Sequence, residues 1–217
     1  MDLTLYHFPA ACSRVTMHAL TTLGLPFADE MVNLRNLEQS DPQYLALNPK
    51  GKVPTLVMDG TVLTENAAIL WTLHQLYSDG GLLPQTSDPV AAHQLLADLA
   101  WCSGTLHPMV RQVRMPMKWT TGETEGVREH GIAALEKECA RRSTQIGDGW
   151  WYGDEWSIID TYFYWGYSTA AKGGFPLDRF PGLEHHASRV RSLDSFGEVL
   201  AREQAALESA GIDDIPL

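Results

Sequence analysis

The sequence predicts an α/β domain followed by an all-α domain. Three observations carry that prediction. Short strand-like and helix-like segments alternate over residues 1–78, a Gly- and Pro-bearing break follows at 78–89, and only long helix-like stretches lie beyond it. A chain of 217 residues is long enough to give two such domains real cores.

Taken in order, Asp2–His7 reads as a strand with apolar Leu3 and Leu5. From Ser13 to Leu23 the apolar residues Val15, Met17, Ala19, Leu20 and Leu23 follow helical spacing, and Gly24 marks the end. Phe27–Val32 is a second strand. Val53–Met58 and Thr61–Leu63 flank Asp59-Gly60, a strong two-residue hairpin signal. Thr64 is placed to cap a helix running to Tyr77. The order β-α-β-short helix-β-β-α is a mixed sheet with helices, a thioredoxin-like pattern. Domain one is therefore set at 1–78, a linker at 79–88 and an all-helical domain at 89–217. In the latter, helices are expected over Val90–Arg114, where Pro108 can bend the chain, and over Glu123–Ile146 despite Gly126 and Gly131. Ser157–Ala171, Pro181–Ser192 and Ser195–Ser209 complete it.

Apolar residues make up 44% of the chain and charged residues 20%, as in ordinary globular proteins. The formal net charge of −11 argues against nucleic acid or an anionic membrane as partner. Three cysteines, Cys12, Cys102 and Cys139, lack C-x-x-C spacing. Neither a disulfide framework nor a zinc site is indicated, no metal is expected, and a cytoplasmic location fits. No apolar run approaches a membrane span, and no basic start precedes an apolar signal core.

Three short motifs carry chemistry. Cys12 lies where the first strand gives way to a helix, in Ala11-Cys12-Ser13. A thiol there feels unpaired N–H groups and the positive end of the helix dipole, which favour thiolate. Val53-Pro54-Thr55-Leu56 opens the third strand. A proline at that point suits a cis turn, and Val53 would be placed to pair with an extended peptide. Thr64-Glu65-Asn66-Ala67 opens a helix whose free N–H groups suit a carboxylate. Asn66 would offer backbone and side chain, and Glu65 would accept an ammonium, although simple capping explains the same residues.

Together with the domain break and the helical remainder, these motifs resemble the cytosolic glutathione S-transferases over nearly the whole chain. The Ala11-Cys12-Ser13 turn is most similar to the bacterial beta class. The resemblance implies glutathione as co-substrate and a small apolar electrophile as its partner. It places Cys12 against the glutathione sulfur and Val53, before a cis Pro54, on the cysteinyl backbone. Glu65 and Asn66 fall at the γ-glutamyl end, Arg35 at the glycyl carboxylate, and Lys52 beside the same ligand. Ser103-Gly104-Thr105-Leu106-His107 is similar to the segment carrying a beta-class site histidine, so His107 would face the electrophile pocket. A homodimer is implied by the same resemblance. The sequence departs from the pattern at Ala100, Pro108 and Asn66, where Asn, Lys and Gly are usual.

Tyr6 and Ser13 compete with Cys12, because related classes hold the thiolate with a hydroxyl; Cys12 is favoured because its sulfur can also form a mixed disulfide. The shape of the second-substrate pocket depends on Val110, Met115, Trp119 and Trp165. Trp156-Ser157-Ile158-Ile159-Asp160 reads as a capping box serving folding. The expected function is transferase or thiol-transfer chemistry on an apolar electrophile or glutathione adduct. One alternative is a glutathione-dependent cis-trans isomerase of the maleylpyruvate or maleylacetoacetate type, although Met17 stands where a basic residue is common. The other is a non-catalytic ligand binder.

Overall fold

The computed structural model describes residues 1–217. They fall into two compact units, one formed by Met1–Leu82 with Leu193–Leu217 and the other by Leu83–Ser192.

The first unit is built on a four-stranded sheet in the order β2-β1-β3-β4, with β1 Leu3–His7, β2 Ala28–Met31, β3 Thr55–Met58 and β4 Thr61–Thr64. β1 and β2 run parallel, and the other two pairings are antiparallel. Burial alternates along β1, so Leu3, Leu5 and His7 point inward, and Leu5 sits opposite the equally buried Leu56. The β3–β4 hairpin turns through Asp59 and Gly60, both at positive φ, as a tight two-residue turn requires. The thioredoxin-like expectation is met in this unit.

Helix α1, Ser13–Thr22, is buried along eight successive residues because the sheet, α3 (Asn66–Leu76) and α9 (Asp194–Ser209) all pack on it. Its polar residues are correspondingly partnered. Thr16 donates to Asn66 Oδ1 at 2.6 Å, His18 Nε2 lies 2.9 Å from Ser195 Oγ, and Arg14 pairs with Glu203. Burial pushes the His18 imidazole down to about 3, so it is neutral. A short helix α2, Pro42–Leu47, precedes β3. Thr64 was expected to cap α3, but the residue before the helix is Glu65, held at φ 72, and its side chain makes no capping bond. The chain turns from β4 into α3 through this left-handed residue. Helix α9, expected in the helical domain, belongs by its packing to this first unit.

The second unit is helical throughout: α4 Pro89–Trp101, α5 His107–Arg114, α6 Glu125–Ile146, α7 Ile158–Ala171 and α8 Pro181–Arg191. The single helix expected over Val90–Arg114 is interrupted by a π turn at Cys102–Leu106, where the His107 N–H reaches back five residues to the Cys102 carbonyl. Pro108 explains the interruption. It has no N–H for the Gly104 carbonyl, and in regular α-helix its ring would strike that carbonyl. Gly166 of α7 lets the π turn seat closely, since a Cβ there would fall 2.8 Å from the Leu106 side chain. The α7 face is the core, with Tyr162, Phe163 and Tyr167 almost fully enclosed. Its N-terminus carries the expected capping box. Ser157 donates from its backbone N–H at 2.9 Å and its hydroxyl at 2.8 Å to Asp160, which also accepts from Trp151 N–H at 2.8 Å and lies 3.1 Å from His186. No helix is long and apolar enough to cross a membrane.

Candidate functional site

Cys12 occupies the N-cap of α1. The chain reaches it through Ala10, held at φ 60. The Cys12 thiol is half-buried and donates to the Val53 carbonyl at 3.4 Å. Val53 precedes Pro54, and the bond between them is cis, as expected. The loop delivering Val53 is tied down one residue earlier. The Lys52 carbonyl accepts from Tyr44 OH at 2.7 Å and from Asn48 Nδ2 at 2.8 Å, and Asn48 also donates to Thr55 Oγ1 at 2.9 Å. The Lys52 side chain is exposed. Lys50 is the lysine that meets a predicted site residue, through its ammonium 2.8 Å from Glu65 Oε1.

The three competing groups differ in their surroundings: Cys12 and Tyr6 are both half-buried, and Ser13 is enclosed. The Ser13 hydroxyl is fully enclosed, donates to the Phe8 carbonyl at 3.2 Å and accepts the Phe8 N–H at 3.1 Å. It closes the strand-to-helix turn. Tyr6 packs against the cluster of Phe8, Val32, Tyr44 and Val53, with its ring 6.0 Å from that of Tyr44. The other two thiols are buried. Burial raises Cys102 well above the ordinary thiol value and pushes Cys139 up to about 12, so both stay protonated and unreactive.

Asn66 is almost fully buried, and its side chain is turned inward. Nδ2 donates to the Cys12 carbonyl at 2.8 Å, while Oδ1 accepts from Thr16. Its side chain therefore braces the Cys12 turn. Glu65 is exposed, its carboxylate shared with Lys50. Arg35 is exposed and forms a forked pair with Asp214 of the C-terminal tail, with Nη2 2.8 Å from Oδ2. Ile215, the next residue, packs against the cluster that holds Val53 and Tyr6.

The first unit thus brings Cys12, Val53, Pro54 and Asn66 together, with Ser13 next to Cys12 in the chain and Tyr6 packed on the cluster that includes Val53. His107 lies in the second unit, just after the π turn, with its ring edge-on to Trp165 at 4.7 Å. Val110 and Trp165 are buried, whereas Trp119 is exposed on an open depression lined by residues 117–121.

Sequence reasoning missed Arg14, Glu203, Thr16, Asn48 and Asp214. One signal was available. Phe196, Val199, Glu203 and Leu207 form a single helical stripe, and a carboxylate on an otherwise apolar stripe calls for a buried partner.

The family model described as "Glutathione S-transferase, N-terminal domain" matches residues 10–76. A maleylacetoacetate isomerase of Pseudomonas aeruginosa is 32% identical, over 90% of this chain and 93% of that protein. Glutathione S-transferase GstA of Escherichia coli O157:H7 is 29% identical, over 96% and 98%. Among solved structures, a glutathione transferase homolog from Sulfitobacter with bound glutathione superposes with a TM-score of 0.79 at 25% identity, covering 98% of this chain and 99% of that one. This chain belongs to the cytosolic glutathione S-transferase superfamily.

Proposed function

We propose that this protein is a glutathione-dependent transferase or thiol-transfer enzyme in which Cys12 is the reacting protein sulfur. The observation that carries the reading is the contrast at the start of α1. Of the three candidate groups, the Ser13 hydroxyl is enclosed and committed to Phe8, Tyr6 belongs to an apolar cluster, and only Cys12 is a half-exposed nucleophile at a helix N-terminus. Val53, beside the thiol, is placed to pair with the extended backbone of the tripeptide, and Glu65 and the start of α3 suit its γ-glutamyl end. Arg35 is proposed for the glycyl carboxylate and Lys52 for the rim of the same site. The bound glutathione of the Sulfitobacter homolog supports this choice of ligand.

The chemistry follows from the sulfur. The Cys12 thiolate attacks the glutathionyl sulfur of a mixed disulfide, and the former partner leaves as a thiolate that takes up a proton. A second glutathione thiolate then attacks the Cys12–glutathione disulfide, releasing oxidised glutathione and restoring Cys12. His107 is proposed to hydrogen-bond the second substrate, its ring plane set by Trp165. We also propose a cytoplasmic homodimer acting in detoxification.

A second reading has its own support. The 32% identical relative is named a maleylacetoacetate isomerase, so glutathione addition to a cis-enedioic acid, bond rotation and release is the rival chemistry.

One experiment separates these readings. Calorimetry with glutathione is followed by turnover of chlorodinitrobenzene, a glutathionyl disulfide and a cis-enedioic acid, on the wild type and Cys12→Ala. The thiol-transfer reading expects binding in both proteins and loss of disulfide turnover in the variant. Conversion of the enedioic acid without net glutathione consumption supports the isomerase. Absence of any glutathione affinity ends both readings.

A further inference from the structure

We propose that Glu203 of α9 is a positioning residue for the Cys12 sulfur, one buried carboxylate holding both flanks of the turn that carries the thiol. The proposal rests on the reading of Cys12 as the reacting sulfur. Glu203 is fully enclosed on the stripe of Phe196, Val199 and Leu207. A carboxylate in that setting is unfavourable unless its oxygens are occupied. Both are. Oε1 accepts the Ala10 N–H at 3.1 Å, and Oε2 accepts Arg14 Nε at 2.8 Å together with Arg14 Nη2.

The two partners stand two residues before and two residues after Cys12. Ala10 is also the residue that adopts φ 60, a conformation an alanine keeps only when its surroundings impose it. Glu203 therefore holds the entry to the turn through a backbone donor and its exit through a guanidinium fork. An amide in its place has one oxygen and cannot serve both. If α9 needed only to adhere to α1, an apolar residue on this stripe would do so at least as well. What an apolar residue cannot do is accept the Ala10 N–H.

The same interface supplies a control. His18 and Ser195 also join α1 to α9, about 9 Å further along α1 and away from the thiol. Glu203→Gln and Ser195→Ala, each in the full chain, are compared by three measurements: hydrogen exchange of the segment containing Ala10 to Cys12, the pH profile of Cys12 alkylation by iodoacetamide, and the glutathione KM and kcat. Cys102 and Cys139 are buried and report unfolding if they become labelled.

For Glu203→Gln, exchange at Ala10 is expected to accelerate and the alkylation profile to move. Its kcat should fall about tenfold or more while KM stays within about twofold, as expected of a displaced reacting group. Ser195→Ala is expected to lower the melting temperature and leave the other measurements unchanged. A Glu203→Gln profile matching the wild type, or equal effects in the two variants, overturns the proposal. Should Glu203→Gln not fold, Arg14→Lys keeps the charge and loses the fork. It is expected to move the alkylation profile in the same direction, and an unmoved profile is again decisive against the brace. If Cys12→Ala retains full turnover, the reading of Cys12 fails, whereas exchange and alkylation still judge the role of Glu203.

Discussion

The side-chain amide of Asn66 donates to the main-chain carbonyl of Cys12 at 2.8 Å, joining the first residue of α3 to the N-cap of α1. Thr16 donates to the same amide from the other side at 2.6 Å. The two helix starts are thus locked through one buried side chain. Asn66→Ala leaves the Thr16 hydroxyl and the Cys12 carbonyl without that partner in an enclosed place. The expected loss is about 1–3 kcal/mol, read as a lower urea midpoint at unchanged m-value. An unaltered midpoint would mean that the amide contributes nothing to the frame.

The Arg35–Asp214 pair places a carboxylate of the chain's own tail on the cation proposed for the glycyl carboxylate. Arg35 holds the Asp214 carboxyl below its ordinary value. Both groups are exposed, so the contact is weak and easily displaced. Asp214→Asn should free Arg35 and lower the glutathione KM about two- to threefold at low salt, with kcat unchanged; Arg35→Ala should raise KM. The difference between wild type and Asp214→Asn should vanish at high ionic strength. Superimposable titrations of the two proteins at low salt would show that the tail does not compete.

The capping box of α7 concerns folding alone. Ser157→Ala removes a cap and should cost about 1 kcal/mol. Asp160→Ala should cost more, about 3 kcal/mol or beyond, because its carboxylate also serves Trp151 and His186 in a fully enclosed position. Turnover per folded molecule should be unchanged in Ser157→Ala. Reduced turnover at an unchanged melting temperature would contradict the assignment.

What the sequence shows and hides follows one division. Features set within a few residues were legible: the Asp59-Gly60 hairpin, the Ser157–Asp160 box, and Cys12 at a strand-to-helix junction. The burial of Arg14 and His18 was not. Their partners Glu203 and Ser195 come from the far end of the chain, and helical periodicity in α9 carries no information on which unit it joins. The same limit explains Asn66, Lys52 and Arg35. Residue type suited each to a ligand, but their neighbours are identified only by packing: Thr16 on the Asn66 side chain, Asn48 on the Lys52 main-chain carbonyl and Asp214 on the Arg35 guanidinium. The π turn lies between these cases, since Pro108 announces a break without specifying its form.

His18 makes the first unit sensitive to acid. Its imidazole is buried between α1 and α9, edge-on to Phe196 at 5.2 Å, and burial holds it at about 3 against an ordinary value of 6.5. Above pH 6.5 the group is neutral in both folded and unfolded chains, and its contribution is fully present. Below that, the unfolded chain binds a proton that the folded chain refuses. Stability then falls by about 1.4 kcal/mol per pH unit from this group alone, until about pH 3. His18→Gln keeps a partner for Ser195 and does not titrate. Between about pH 7 and about pH 5 the wild type should therefore lose roughly 2 kcal/mol more unfolding free energy than the variant. Equal losses in urea titrations at the two pH values would show that His18 takes up its proton in the folded state.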